Sequence, residues 1–258
     1  MNKMREDYIL HTPAEIEKIR RAARMAAEAR EHICRMVRSG MTTWDLDELA
    51  GEVIRSMGGV PTFQNYRGYP GNICISLNDE VVHGIRSRER FILKGDVVSV
   101  DVGVSFEGGV GDTAKTIYVH DGDDVPEDIE RLLKFTESSL ECGLAAAHPG
   151  GYVQDISRAV EMEAKRGHLG IVEEYVGHGC GTRLHEPPDV PNYVQHRRGP
   201  QLRPGMVLCV EPMLNLGSKR VYVEGDGWTV RTRDGEPSAH FEHMILITET
   251  GTEVLTRV

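Results

Sequence analysis

The seven residues Gly95-Asp-Val-Val-Ser-Val-Asp101 return 110 positions later as Gly205-Met-Val-Leu-Cys-Val-Glu211. In each copy a glycine leads into a β-branched strand whose seventh residue is an acid. The same offset lays Gly40 on Gly150, Asp45 on Asp155 and Leu46 on Ile156. A chain that repeats itself this way builds two copies of one unit and packs them together. Helix signals fall in matching places. Thr12-Pro13-Ala14-Glu15 is a capping box with proline at the first helical position. Ile16, Ile19, Ala23, Ala26 and Ile33 then recur at roughly helical spacing, and a second helix covers about 45–57, begun through Thr42 or Thr43. The second half gives helices over about 126–147 and 153–165, separated by Pro149-Gly150-Gly151. The expectation is an α+β fold of one domain, residues 1–258, in two related halves of about 12–120 and 125–255. Each half is a helix pair packed on antiparallel strands, with the site between the halves.

Residues 97–113 read as two strands joined by a tight turn at Glu107-Gly108-Gly109. Folding there brings Asp101 and Asp112 onto neighbouring strands, nearly level, among Val and Gly. Two facing carboxylates in an apolar sheet repel each other and are costly to bury without a positive partner. Either both acids are solvated at strand ends, or they form one wall of a metal site. The second half supplies further candidates. His178 sits in Gly177-His-Gly-Cys-Gly181, His185 in Leu184-His-Glu-Pro-Pro188, Glu211 ends an apolar strand, and Glu242 lies in the run 238–247, read as one strand. Four carboxylates with one imidazole balance two divalent cations. Such a donor set suits Mn, Fe, Co or Zn over Ca or a thiolate zinc site.

Composition narrows the classes. The formal charge of −10 argues against a nucleic-acid-binding surface, and no apolar run reaches membrane-spanning length. The five cysteines are odd in number and widely spaced, as in a reduced, cytoplasmic protein.

The set Asp101, Asp112, His178, Glu211 and Glu242, with its duplicated halves, resembles the pita-bread fold of the type I methionine aminopeptidases and their X-Pro peptidase relatives. Matching motifs are Gly-Asp-Thr at Asp112, Glu-Pro-Met at Glu211, Tyr-x-Gly-Tyr-Pro at 66–70, Cys-Ile-Ser at 74–76, Val-His-Gly-Ile at 82–85 and Trp-Thr-Val at 228–230. The likeness implies removal of the N-terminal methionine from nascent chains that carry a small second residue. Asp101 then chelates one ion, Asp112 and Glu242 bridge both, and His178 and Glu211 complete the other. It further implies Glu211 as proton shuttle for an activated water, His185 as stabiliser of the oxyanion, and His83 as a contact near the new N-terminus. Tyr66, Tyr69, Cys74 and Trp228 match positions that line the methionine pocket. Ribosome association and a monomeric state are further expectations. Leu184, Phe63 and Arg67 depart from the family pattern at that pocket, and Arg86 does so in a loop. An X-Pro peptidase, or a binding protein that has lost catalysis, are the alternatives. X-Pro peptidases usually carry an extra N-terminal domain, whereas here a helix begins at residue 13, and the full ligand set speaks against lost catalysis.

Overall fold

The computed structural model describes residues 7–120 and 122–258. Helices α1 (Pro13–Met36) and α2 (Thr43–Ser56) are followed by strands β1 (Val60–Pro61), β2 (Cys74–Leu77), β3 (Glu80–Val82), β4 (Val97–Phe106) and β5 (Gly109–Tyr118). Helices α3 (Glu127–Ala146) and α4 (Val153–Arg166) open the second half. Strands β6 (Gly170–Ile171), β7 (Gly177–Gly179), β8 (Glu186–Val190), β9 (Val207–Val210) and β10 (Met213–Asn215) come next. The last are β11 (Val221–Val223), β12 (Val230–Thr232), β13 (Ser238–His240), β14 (His243–Ile247) and β15 (Thr252–Val254). Both helix starts of the first half are capped as their sequences require: Thr12 with Glu15, and Thr42 with Asp45, form reciprocal capping boxes.

The 110-residue echo is a structural symmetry. Gly40 donates to Ile92 O and Gly150 to Leu202 O, each at 2.9 Å. The isolated bridge Thr42–Phe91 has its counterpart in Tyr152–Gln201. Gly95 donates to Val119 O, and Gly205 to Ile247 O. Asp45 and Asp155 each turn back to cap the start of their helix. In the first half α1 and α2 cover β4 and β2 through an apolar cluster including Ala26, Ile33, Ile54, Ile75 and Val100. In the second, α3 and α4 cover β9, β10 and β14 through Leu140, Ile156, Val160, Val210 and Ile245. The helices thus lie outside, and the bare faces of the two sheets look toward each other.

Hairpin β4–β5 turns at Glu107 and Gly108, both at positive φ, which is the two-residue turn that matches strand twist. Asp101 pairs with Ala114 and Gly103 with Asp112, so the two acids lie diagonally, two residues out of level, on one face. In the second half the strands break. β9 and β14 pair up to Val210–His243, and β10 and β13 pair from Met213–His240. Glu211-Pro212 and Phe241-Glu242 fall in the gap. Glu242 is therefore not inside a continuous strand, as its apolar surroundings in sequence suggested. The chain changes partners there, and so does the strand beside it.

Candidate metal centre

That paired break aims Glu211 and Glu242 at the face of the first-half hairpin that carries Asp101 and Asp112. Glu242 N–H donates to Ala114 O at 3.0 Å, and Thr113 Oγ1 donates to Glu242 O at 2.8 Å, stitching the halves at this point. Asn192 Nδ2 donates to Glu211 O at 3.0 Å. His178, on β7, lies with its Nδ1 2.9 Å from its neighbour's carbonyl, Gly179 O. This contact fixes the tautomer with the proton on Nδ1 and leaves Nε2 as a free lone pair. Nε2 is 3.3 Å from Glu211 Oε1 and 3.9 Å from Asp112 Oδ2.

Asp112, His178, Glu211 and Glu242 are all buried, and Asp101 is half-buried. One oxygen of each carboxylate, Asp101 Oδ1, Asp112 Oδ1, Glu211 Oε1 and Glu242 Oε1, is shielded from solvent without a hydrogen-bond partner. Such atoms are costly to leave unpaired, and four converging ones call for a cation. Burial pushes Asp101 up to about 6, while Asp112, Glu211 and Glu242 rise well above the usual carboxylate range. Desolvation is the main cause in each case, with neighbouring acids adding to it for the last three. Burial drives His178 down to about 3, so its imidazole is neutral and able to ligate. Ligand atoms of Asp112, His178 and Glu242 lie within 4.8 Å of one another, together with the Cys209 thiol. Residues of this chemistry and spacing fit a divalent transition-metal ion.

The cluster forms the floor of a cavity of about 280 Å³, and the site residues expected from the sequence all line it: the four acids and His178, with His83, His185, Tyr66, Tyr69, Cys74 and Trp228. Phe63, Tyr69, Cys74 and Leu184 share one buried apolar cluster with Tyr66 and Trp228 packed against it. Gly103, opposite Asp112, has room for no side chain, because the Phe63 ring packs against it. Tyr69 donates to Gly84 O at 2.7 Å and meets the Trp228 ring edge-on, at 5.2 Å between centroids. His185 stacks on Tyr66, its Nδ1 2.8 Å from the phenolic oxygen, and its ring centroid is 4.2 Å from that of His178. His83 sits at φ +61°, in the left-handed region that costs a non-glycine residue energy, between Tyr175 and Trp228. Burial, more than the neighbouring His240 and His185, lowers it to about 4.

Three lining residues carry no signal in the motifs above: Tyr175, Val176 and His240. His240 Nε2 is 3.6 Å from Glu211 Oε2. Alternation was its signal, since residues 240 and 242 share the cavity side whereas 241 and 243 face another cleft.

A two-half α+β fold with a buried acid-and-imidazole centre defines a metallohydrolase scaffold. The model of metallopeptidase family M24 matches residues 17–249, and the chain belongs to that family. Methionine aminopeptidase 1 of Bacillus subtilis is 43% identical over 250 residues, covering 97% of this chain and 99% of the relative. The Aquifex aeolicus methionine aminopeptidase is 40% identical, covering 96% and 98%. A crystal structure of methionine aminopeptidase from Thermotoga maritima superposes with a TM-score of 0.93 at 39% identity, covering 97% of this chain and 100% of that one. Prolidase from Pyrococcus furiosus has a TM-score of 0.77 at 23% identity, covering 97% and 66%, a likeness of fold. Among the described residues no helix is long and apolar enough to cross a membrane.

Proposed function

We infer that this chain is a metallo-aminopeptidase that removes the initiator methionine from nascent polypeptides with a small second residue. The observation that carries this reading is the apolar chamber of Phe63, Tyr69, Cys74, Leu184 and Trp228 opening directly onto the carboxylate cluster. A chamber of that kind takes a flexible thioether without demanding a hydrogen bond. Two divalent ions, drawn from Co, Mn, Fe or Zn, are proposed to be held by Asp101, Asp112, His178, Glu211 and Glu242, with Asp112 and Glu242 shared. When bound, they supply Lewis-acid charge and make water a competent nucleophile at neutral pH.

The chain's own groups do the rest in this proposal. Glu211, beside His178 and His240, takes the proton of the attacking water and passes it to the leaving amine. His185, fixed by Tyr66, donates to the oxygen that becomes negative at the scissile carbonyl. His83, held between Tyr175 and Trp228, contacts the peptide near its new N-terminus. The chain is read as one catalytic domain, monomeric, acting in the cytoplasm beside the ribosome.

Comparing hydrolysis of Met-Ala-Ser and Ala-Pro-Ala tests the assignment. The expected result is turnover of the first, abolished by chelation and restored by a divalent ion. Turnover of Ala-Pro-Ala alone would identify an X-Pro peptidase, and none of either would leave a binding protein.

A further inference from the structure

The loop 181–185, between β7 and β8, brings Leu184 and His185 to the cavity. Its anchor is the next residue. Glu186 Oε1 accepts from Thr182 N at 3.1 Å, Thr182 Oγ1 at 2.8 Å and Arg183 N at 2.9 Å, closing the loop on itself. Its second oxygen makes no aligned hydrogen bond, and its nearest polar contact is His11 Nε2, 3.0 Å away. Both side chains are almost wholly buried, 2% and 1% exposed. His11 comes from the segment that precedes α1. That segment is itself fastened to the second half, by His11 N–H to Gly205 O at 2.9 Å and by Tyr8 packing under Arg203. The His11 ring also presses on Gly181, where a Cβ would collide with it and with Ile19. Gly181 O in turn receives the Val110 N–H of β5 at 2.8 Å.

We propose that the segment Tyr8 to His11 is a strap that holds the 181–185 loop in register with the metal centre. His11 and Glu186 then act as positioning residues for His185 in peptide hydrolysis. Without the imidazole, one oxygen of a buried carboxylate loses its nearest polar contact, and the loop's anchor can turn away to find another. His185 rides on that anchor by one peptide bond. A displacement of about 1 Å in a substrate-facing group costs up to about 100-fold in rate. The inference rests on the substrate-facing role given to His185 above.

The test uses the full-length, metal-loaded protein and a double-mutant cycle. His11→Ala is expected to lower kcat for Met-Ala-Ser about 10- to 100-fold, with KM and the metal-binding isotherm close to wild type. His11→Gln, whose amide nitrogen reaches the same place, is expected to recover kcat to within about threefold. In a His185→Ala background the His11→Ala change is expected to cost nothing more. An unchanged kcat in His11→Ala, or a loss that adds in full to that of His185→Ala, overturns the proposal. A second readout needs no turnover: amide exchange at Thr182 and Arg183 quickens in His11→Ala if the strap exists, and unchanged exchange there overturns it. Failure of the parent reading shows separately, as wild-type protein that leaves Met-Ala-Ser intact or His185→Ala that cleaves it at the wild-type rate.

Discussion

Glu211 stands where two demands meet. It is buried with a free oxygen toward His178 and a second oxygen toward His240, and in the proposed reaction it also moves a proton. An amide keeps its shape and its capacity to ligate weakly but cannot accept the proton. Glu211→Gln is therefore expected to lower kcat by about 10² or more while the melting temperature of the metal-free protein rises or stays level. Steady-state kinetics with a thermal melt checks this, and unchanged kcat would contradict the assigned role. At this scale the sequence was generous with acids and poor with the histidine beside them. Asp101 and Glu211 announced each other through the repeat, and Asp112 and Glu242 stood out as charges in apolar runs. His240 carried no such contrast, since a lone histidine beside a strand is usually a satisfied core residue.

The elements that carry these side chains are held close by small residues. A Cβ on Gly111 of β5 would strike the backbone of Ala22 and Ala23 in α1, so hairpin and helix touch with nothing between them. Gly111→Ala must push them apart, at a cost of about 1–3 kcal/mol. Urea unfolding measures this, and a neutral effect would show that α1 is free to move. Helix starts were readable because their caps are local in sequence, as at Thr12 and Thr42. The paired break at Glu211-Pro212 and Phe241-Glu242 was not. Apolar character runs through both stretches, and only the exchange of partners between β9–β14 and β10–β13 reveals the gap. That exchange depends on residues some thirty positions apart, which no local pattern encodes.

Across the whole molecule, the two halves meet where their charges repel. Burial raises Asp112, Glu211 and Glu242 well above their ordinary values, so each takes up a proton more readily folded than unfolded. A group of this kind favours the folded state at low pH and withdraws that support as pH rises through its folded value. The buried histidines act oppositely: His83 and His178 are lowered to about 4 and about 3, and their opposition ends above about pH 6.5, where unfolded histidine is also neutral. Above about pH 6.5 the carboxylates remain, joined near pH 8 and above by the buried thiols of Cys34, Cys74 and Cys209, which burial also raises. The metal-free protein is expected to melt at lower temperature as pH rises from about 6.5 toward 8, below the thiol range, and the Mn-loaded protein to resist the trend. Parallel melts of chelated and loaded protein decide it, and a flat profile without metal would mean the acids are not coupled as described. The repeat makes this meeting of halves legible in the sequence, because Gly95 and Gly205 mark the same point in two copies of one unit. How the two sheets face each other was not legible, being set by contacts between halves such as Glu242 with Ala114.

The claim on which the rest depends is that acids from both halves build one shared two-ion centre. Calorimetric titration of metal-free protein with Mn²⁺ tests it most directly, on wild type, Asp101→Asn and Asp112→Asn. The expected result is two ions for wild type, one retained with near-wild-type affinity in Asp101→Asn, and loss of two-ion binding in Asp112→Asn. The reverse order of the two variants, or a single ion in wild type, would contradict it.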